Sequence, residues 1–318
     1  MSAKDTQLHA ALTRAAAGVA LPELRRRVAD LSHRYRTEQV ADAAPALNDA
    51  LDCLAYAVMR MPATYRALHA ALTATERHVR APISTHLDLG GGTGAAAWAA
   101  AAVWPGVTTE LMERQRPAIQ LGRQLAAEHL PTLRWTTADL RSGDLDRDVD
   151  LITIGYVLNE LAEADRAAVV KAAARAATTI VIVEPGTPRG HRRTVEARAV
   201  LIEHGFAIAA PCPHQYACPI VSPDWCHFAV RLPRTELHRV LKDGVRNFED
   251  EKFSYVVATR APAVPAANRV LARPARPKNR IILDLCTAAG TKTHLTIPKS
   301  ADTYRPTRHT TWGAPWPD

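Results

Sequence analysis

Apolar residues recur at roughly helical spacing through the first eighty positions of the chain. The recurring residues are Leu8, Leu12, Val19, Leu24, Val28 and Leu31. Such spacing places apolar side chains on one face of a helix, so it predicts an N-terminal helical region. A further helix is predicted over Ala46–Met61, ending near Pro62, because proline interrupts the backbone hydrogen bonds of a helix.

Short apolar runs alternate with longer alanine-rich stretches in the centre of the chain. The runs typical of strands are Thr85–Leu89, Thr109–Met112, Leu133–Thr136, Leu151–Ile154 and Ile180–Val183. The stretches typical of helices are Ala95–Val103, Arg116–Glu128, Glu163–Ala177 and His191–His204. This alternation predicts an α/β fold with a parallel, doubly wound sheet. Right-handed crossovers then bring the carboxyl ends of the strands to one ligand-binding edge.

The pattern changes after Gly205. Cysteine, proline and histidine cluster between Pro211 and Phe228, and a Pro/Ala linker is predicted at Arg260–Ala267. Further strand-like runs are Ser254–Thr259, Arg280–Leu285 and His294–Ile297. We therefore expect three parts: a helical region over 1–80, a Rossmann-like domain over 81–210, and a small Cys-rich, β-containing region over 211–318.

Glycines follow the first predicted strand directly. Gly90, Gly92 and Gly94 lie between that strand and the helix that begins at Ala95. Glycine lets the backbone turn tightly and approach a ligand without a Cβ clash. The helix N-terminus adds unpaired N–H donors, so this loop predicts a nucleotide site. The loop alone does not name the nucleotide, because NAD enzymes use a similar one.

Three carboxylates narrow the choice of nucleotide. Asp88 lies inside the motif, which gives Asp-x-Gly-x-Gly-x-Gly, and this pattern resembles motif I of class I methyltransferases. Glu113 follows the second strand, where an acid suits the ribose hydroxyls of a cofactor. Asp139 follows the third strand, where such enzymes often hold the adenine amino group. The predicted S-adenosylmethionine-binding residues are Asp88, Gly90, Gly92, Gly94, Glu113 and Asp139.

The fourth strand ends in polar residues at the edge that should face the reacting group. We predict Tyr156, Asn159 and Glu160 as the catalytic, substrate-side residues. The alternative is that Asn159 and Glu160 merely start the next helix. The Asn-Pro-Pro-Tyr motif of nitrogen methyltransferases is absent, and no cysteine suits carbon-five cytosine chemistry. Alignment of nucleophile and methyl group is enough for transfer, so these absences do not exclude activity.

Four of the five cysteines suggest a metal site. The predicted ligands are Cys212, Cys218, Cys226 and Cys286. Four thiolates suit either a [4Fe–4S] cluster or a tetrahedral zinc, and the spacing leaves both open. His214 and His227 also keep a mixed Cys/His zinc site possible. Either metal would fasten the C-terminal tail to the loop that follows the sheet.

The net charge of +8 favours a polyanionic partner such as RNA over a neutral one. Basic residues of the last fifty positions include Arg269, Arg273, Arg276, Lys278, Arg280, Lys292, Lys299, Arg305 and Arg308. Trp312 and Trp316 lie close by, and aromatic side chains stack on unpaired bases. We predict salt-sensitive RNA binding here; the alternative is a solvated basic surface.

No apolar run approaches the roughly 20 residues that would span a bilayer. The segment Met1–Ala20 carries charges and lacks a signal-peptide core. We therefore expect a cytoplasmic, monomeric protein without a membrane partner.

Several segments together resemble one family, the small-ribosomal-subunit methyltransferase-like proteins of the Rsm-twenty-two type, bacterial and mitochondrial. The matching segments are Met61–Tyr65, Leu87–Gly94, Tyr156–Leu161, Val183–Gly190, the run of Cys212, Cys218 and Cys226 with Trp225, His227 and Phe228, then Lys252–Tyr255 and the tail with Cys286. They cover roughly residues 45–312. The glycine motif is generic, whereas the Glu-Pro-Gly-Thr-Pro element with the cysteine run is much more specific.

The resemblance implies a partner, a metal and a role. Family members bind the small ribosomal subunit or its rRNA during assembly and support translation. Their four-cysteine site holds a [4Fe–4S] cluster, which carries over onto Cys212, Cys218, Cys226 and Cys286. Members act either as rRNA methyltransferases or as non-catalytic assembly factors, and the intact glycine loop favours cofactor binding in both cases.

Overall fold

Helices form the N-terminal part of the protein, as the apolar spacing predicts. The computed structural model describes residues 2–36, 49–143, 145–242 and 246–317. The first three helices are α1 (Ala3–Ala16), α2 (Leu21–Arg36) and α3 (Ala50–His78). The buried Asp5 carboxylate of α1 contacts Arg66 of α3 at 2.6 Å, which ties the first helix to the third.

The third helix is longer than predicted. The expectation that it ends near Pro62 is wrong, because α3 continues past this proline to His78; residues 46–48 of the expected helix lie outside the described residues. A proline inside a helix costs about 3 kcal/mol. Met61, Tyr65 and Leu68 are each buried on the same helix, and burying a large apolar side chain gains about 1.5–3 kcal/mol. Packing therefore outweighs the lost backbone hydrogen bond.

A parallel sheet with helices on both faces forms the centre of the molecule. Its strands are β1 (Thr85–Leu89), β2 (Thr108–Glu113), β3 (Arg134–Thr137), β4 (Val149–Gly155) and β5 (Ala177–Pro185). The connecting helices are α4 (Ala95–Val103), α5 (Arg116–Ala126), α6 (Glu163–Ala176) and α7 (Pro188–Glu203). The strand order β3-β2-β1-β4-β5 confirms the predicted Rossmann-like fold of the class I methyltransferase type.

An antiparallel strand, β8 (Phe248–Thr259), lies beside β5. Its last residues pair with β6 (Ala207–Ala210) and its first residues pair with β7 (Phe228–Pro233). The short helix α8 (Glu236–Lys242) connects β7 to β8. Residues 211–227 therefore leave the sheet at β6 and return at β7.

A second, three-stranded antiparallel sheet follows. It contains β9 (Asn268–Val270), β10 (Arg280–Thr287) and β11 (Lys292–Pro298) in the order β11-β10-β9, followed by the short helix α9 (Tyr304–Thr307). Its small apolar core includes Val270, Leu283 and Ile297. The division into 1–80, 81–210 and 211–318 stays a prediction, and β6, β7 and β8 share the sheet of the central strands.

Two larger apolar cores enclose the central sheet. One joins the N-terminal helices to α4 and α5, and the other joins α6 and α7 to the opposite face. Within the described ranges no helix combines the length and apolar character needed to cross a membrane.

Candidate functional site

The loop after β1 has the backbone conformation that only glycine adopts easily. Gly90, Gly92 and Gly94 have φ angles of +69°, +54° and +96°. The N–H groups of Gly90 and Gly91 donate to the Met112 carbonyl at 2.8 and 3.3 Å, which holds the loop against the end of β2. A Cβ on Gly92 would meet no atom within 4 Å, so this glycine borders open space.

That space is a cleft of about 700 Å³, including its open mouth. The glycine loop forms one wall, and Tyr56, Met61 and Thr64 of α3 form another. The Thr64 hydroxyl is buried and has no hydrogen-bond partner among the described residues. Helix α3 therefore covers one side of the site, and it leaves one hydroxyl without a protein partner.

Glu113 lines this cleft at the end of β2, as the sequence predicts. Its carboxylate accepts hydrogen bonds from the backbone N–H of Gly92 at 3.0 Å and of Gln115 at 2.8 Å. These two bonds fix the carboxylate beside the loop, and its remaining lone pairs are available to ligand hydroxyls.

Asp88 lies beneath the loop rather than in the cleft. Its side chain is 2% exposed and accepts a hydrogen bond from Thr153 at 2.6 Å, while its Oδ2 has no partner among the described residues. Burial raises the pKa of Asp88 to about 7. A Cβ on Gly91 would lie 2.3 Å from Asp88 Oδ2, so this carboxyl supports the loop from below.

Asp139 also lies apart from the residues that line the cleft. It caps a short 3-10 turn at Leu140–Ser142 and pairs with Arg141, two residues along the chain. Hydrogen bonds from the Arg141 side chain and backbone lower the pKa of Asp139 to about 2. Its predicted contact with adenine stays a prediction.

The end of β4 brings Tyr156 and Glu160 into the cleft wall, whereas Asn159 is not among its lining residues. Tyr156 has a φ of +62°, uncommon for a side chain of this size, and its N–H donates to the Val183 carbonyl at 2.7 Å. Asn159 Oδ1 is buried without a partner in the described part of the chain. Asn159 and Glu160 belong to a separate 3-10 turn ahead of α6, which begins at Glu163.

Glu160 has a strongly perturbed carboxyl group. Part of the side chain reaches solvent at the mouth of the cleft. Enclosure by the cleft walls, followed by the charge of Glu113, raises the pKa of Glu160 to about 7. A carboxyl with this pKa changes protonation near neutral pH, which is the behaviour required of a general base.

Behind Tyr156 and its loop lie three charged residues that sequence reasoning missed, Arg60, Glu184 and Glu251. The Tyr156 hydroxyl donates to Glu251 of β8 at 3.0 Å, and Arg60 of α3 contacts the same carboxylate at 2.9 Å. Glu184 is fully buried; it accepts the Leu158 N–H at 3.1 Å and pairs with Arg193 at 2.6 Å. The Glu-Pro-Gly-Thr-Pro element signals Glu184, but nothing local signals a contact between residues 60 and 251.

A second cavity, of about 520 Å³ including its opening to solvent, brings together all four predicted cysteine ligands. Cys212, Cys218 and Cys226 reach it from the segment between β6 and β7, and Cys286 reaches it from β10. Two imidazoles lie beside the sulfurs: His191 Nε2 is 3.9 Å from Cys218 Sγ, and His214 Nε2 is 3.4 Å from Cys286 Sγ. His227 instead stacks on Trp225 outside the cavity lining.

Burial keeps these thiols protonated in the absence of a metal. It raises the pKa of Cys286 to about 12 and that of Cys226 well above its ordinary value, and the neighbouring sulfurs add to the effect. Among the described residues, no three or more His, Cys, Asp or Glu side chains are grouped to hold a metal ion. Cys53 is separate from this cavity and packs in the core of α3.

A profile of the family described as the mitochondrial small ribosomal subunit Rsm22 matches residues 50–317. The chain belongs to the Rsm22 family. The human "Ribosome assembly protein METTL17, mitochondrial" is 27% identical over 259 residues, which cover 72% of this chain and 54% of the human protein. The chain thus spans about half the length of this curated relative.

Solved structures of methyltransferases align with part of this Rsm22-family chain. An O-methyltransferase family protein from Burkholderia thailandensis is 12% identical with a TM-score of 0.48, covering 76% of this chain and 71% of that one. The magnesium protoporphyrin IX methyltransferase from Synechocystis, with bound SAH, is 14% identical with a TM-score of 0.43, covering 72% and 93%.

The basic tail of this Rsm22-family chain differs in part from the expected RNA surface. Arg269 is only 3% exposed, so its predicted place on that surface is wrong. Trp312 packs against the core that contains the N-terminal helices and Trp316 against the core of the small sheet, so both side chains are partly buried. The basic side chains that remain exposed are Arg273, Arg276, Lys278, Arg280, Lys292, Lys299, Arg305 and Arg308.

Proposed function

We propose that this protein binds S-adenosylmethionine and acts, as a methyltransferase-like protein, on the small ribosomal subunit or its rRNA, supporting ribosome assembly and translation. The observation that carries the proposal is a preorganised glycine cleft in a chain of the Rsm22 family. A relative that carries the words "ribosome assembly protein" in its name supports the choice of partner.

The cleft suits this cofactor in three respects. Glu113 presents a fixed carboxylate toward ribose hydroxyls, the glycine loop admits close approach of a ligand, and the free Thr64 hydroxyl offers a further hydrogen bond. The bound cofactor would supply an electrophilic methyl group. Asp88 would act indirectly, by supporting the loop at Gly91.

Methyl transfer would use the residues at the end of β4. Glu160 would accept a proton from the attacking group, since its pKa near 7 leaves a useful fraction ionised at neutral pH. Tyr156 would orient the substrate side of the cleft, because its backbone and hydroxyl are both held in place. Asn159 would act only by supporting the turn that carries Glu160.

A non-catalytic assembly factor is the second candidate function. Burial and the Glu251 carboxylate raise the pKa of Tyr156 well above its ordinary value, so its hydroxyl stays protonated. With Asn159 outside the cleft lining, Glu160 is left as the single acid–base group among the three predicted catalytic residues. The loss of two candidate acid–base groups supports a protein that binds the cofactor without turnover, and it does so more strongly than the sequence alone.

We further infer that Cys212, Cys218, Cys226 and Cys286 hold a [4Fe–4S] cluster. Four sulfurs lining one cavity support a shared group, and cysteine thiolates are the usual ligands of such clusters. Zinc is the alternative. It would require its sulfurs within about 4 Å of one another, given zinc–sulfur bonds of about 2.3 Å, and no such single-ion group is found among the described residues. The cluster would stabilise the junction between the two sheets.

The proposed RNA surface is the exposed basic side of the small sheet. Reversing Arg273, Lys278 and Arg280 to Glu should weaken binding to small-subunit rRNA at least tenfold and reduce its salt dependence. The matched control reverses Arg123, Lys171 and Arg175, which are exposed on α5 and α6. Equal weakening by both sets would contradict a specific surface.

Three measurements test the proposed function. Calorimetry with S-adenosylmethionine should give a single site whose affinity falls when Glu113 is changed. Mapping of small-subunit rRNA methylation with and without the protein separates an enzyme from an assembly factor. Absorption of anaerobically purified protein should show a broad band near ~400 nm with iron bound, whereas a colourless zinc protein would contradict the cluster. The cytoplasmic location and monomeric state stay predictions.

A further inference from the structure

Two arginines are buried at the wall of the cysteine cavity. Arg198 lies on α7 and is 5% exposed, and Arg269 lies on β9 and is 3% exposed. Both line the cavity together with the four cysteines. Arginine remains charged under all ordinary conditions, so the cavity carries about two positive charges.

Neither guanidinium forms an ion pair with a carboxylate in the described part of the chain. Arg269 donates to the carbonyls of Pro211 at 2.9 Å and Gly313 at 2.9 Å, and lies 3.2 Å from His78 Nε2. Arg198 donates to the His214 carbonyl at 2.8 Å. Its Nε is buried with no hydrogen-bond partner. Buried charges without a counter-charge are strongly unfavourable, so this arrangement points to an anionic occupant.

The two arginines reach the cavity from different elements, Arg198 from α7 and Arg269 from β9. In the β9–β10 ladder Arg269 is the direct partner of Cys286, so backbone pairing fixes this positive charge beside the ligand strand.

We propose that Arg198 and Arg269 are positioning residues that neutralise the sulfur-ligated group held by the four cysteines. The inference rests on the proposed four-cysteine site and adds to it a specific electrostatic requirement. Four thiolates around a doubly positive iron–sulfur core carry about two negative charges, which the two guanidinium groups balance. The unpartnered Nε of Arg198 would then donate toward a sulfur of the group.

The test compares Arg198→Met, which removes the charge at similar length, with Arg198→Lys, which retains it. Arg198 is preferred to Arg269 because it makes one backbone hydrogen bond, so its loss disturbs the fold least. In protein purified with its metal, Arg198→Met should lose iron to a chelator at least tenfold faster than wild type. Arg198→Lys should stay within about threefold of wild type.

The one-electron reduction potential gives a readout that a purely structural role would not change. Reduction by dithionite adds an electron to an already anionic group, so removing a nearby cation disfavours the reduced form. At a fixed potential, Arg198→Met should lower the ratio of the reduced to the oxidised form of the group about tenfold. This corresponds to a reduction potential that is lower by about 59 mV. In metal-free protein the same substitution should raise the unfolding temperature, because it removes an unbalanced buried charge.

The outcomes separate this inference from the proposed site. Wild-type protein that binds neither iron nor zinc would overturn both. A loaded wild type whose Arg198→Met variant keeps its potential and its rate of metal loss would overturn only the role of the arginines. If the wild type holds zinc, the chelator measurement decides, because tetrathiolate zinc has the same negative charge and needs the same counter-charges.

Discussion

The two cavities of this protein differ in how their charged groups are satisfied. In the glycine cleft Glu113 accepts two backbone N–H groups, and Glu251 contacts both Arg60 and Tyr156. In the cysteine cavity two buried guanidinium groups meet four protonated thiols and no carboxylate among the described residues. The cleft is organised before a ligand arrives, whereas the cavity needs an anionic occupant to balance its charge.

We therefore expect the two sites to contribute differently to ligand affinity and to folding stability. Changing a residue of a preorganised cleft should reduce ligand affinity and leave folding nearly intact. Changing a ligand of an unbalanced cavity should reduce the stability of the whole protein, because binding and folding are then coupled. The two sites can therefore be separated by measuring affinity and unfolding on the same variants.

The largest effect is expected for Cys226→Ser. Loss of one sulfur ligand should abolish the absorption near ~400 nm and lower the free energy of unfolding by on the order of 3 kcal/mol. Cys53→Ser changes a buried thiol outside the cavity and provides the control. It should keep the absorption and cost about 1–2 kcal/mol, the desolvation penalty of a buried hydroxyl. Equal loss of absorption in both variants would contradict the assignment of the absorbing group to the cysteine cavity.

A smaller effect is expected for Glu113→Gln in the cleft. Replacing the carboxylate with an amide weakens the hydrogen bonds to ribose hydroxyls, so the dissociation constant for S-adenosylmethionine should rise about tenfold, or about 1.4 kcal/mol. Calorimetry measures this change. Glu110 lies on the same strand but pairs with Thr136 and Arg147. The Glu110→Gln variant should therefore bind S-adenosylmethionine with wild-type affinity. If Glu113→Gln bound S-adenosylmethionine as tightly as wild type, Glu113 would not be a residue of the binding site.

The pH dependence of stability tests the support beneath the loop. Burial raises the pKa of Asp88 to about 7 in the folded protein, above its ordinary value in the unfolded chain. The folded state therefore binds this proton more tightly, and the stabilisation is complete below about pH 4 and is lost as pH rises through about 7. Compared with Asp88→Asn, the wild type should lose about 2–3 kcal/mol between about pH 5 and 8 in urea unfolding. A constant difference across this range would contradict the raised pKa.

The smallest effect is expected for Gly92→Ala. The added Cβ meets open space but forces a left-handed backbone on alanine, which costs about 1 kcal/mol. It also intrudes on the cleft, so affinity for S-adenosylmethionine should fall about threefold. Gly106→Ala adds a methyl group in open space without a left-handed backbone and should leave affinity unchanged. Identical affinities for the two variants would place the ligand away from Gly92.

The sequence predicts the five parallel strands well because most of them are compact apolar runs between helices. It does not reveal the first half of β8, where four consecutive charged residues at 249–252 mask a paired strand. The strands β6 and β7 also escape notice, because they flank the proline- and cysteine-containing segment. Local pattern predicts an element when its residues are uniformly buried, and fails where the pairing partner supplies the stability.

The residues of the candidate sites likewise fall into those that the local sequence predicts and those that depend on the complete fold. Glu113 is predictable because an acid at the end of the second strand has a defined place in this fold. Asp139 pairs with Arg141, two residues away, a contact that the sequence did not indicate, and its role stays a prediction. The burial of Arg269 could not be predicted, because a basic residue in a basic tail is indistinguishable from its exposed neighbours until β9 pairs with β10. The contact between Arg60 and Glu251 likewise depends on the complete fold.

The position of Cys286 on β10 has a consequence for biosynthesis. A growing chain that has reached only the end of β8 contains Cys212, Cys218 and Cys226 but lacks the fourth sulfur. A group held by all four sulfurs is therefore inserted only after the small sheet has been made and paired. Until that moment the nascent chain has a central sheet that can form and an incomplete set of thiols, so insertion would follow the folding of the sheet rather than precede it.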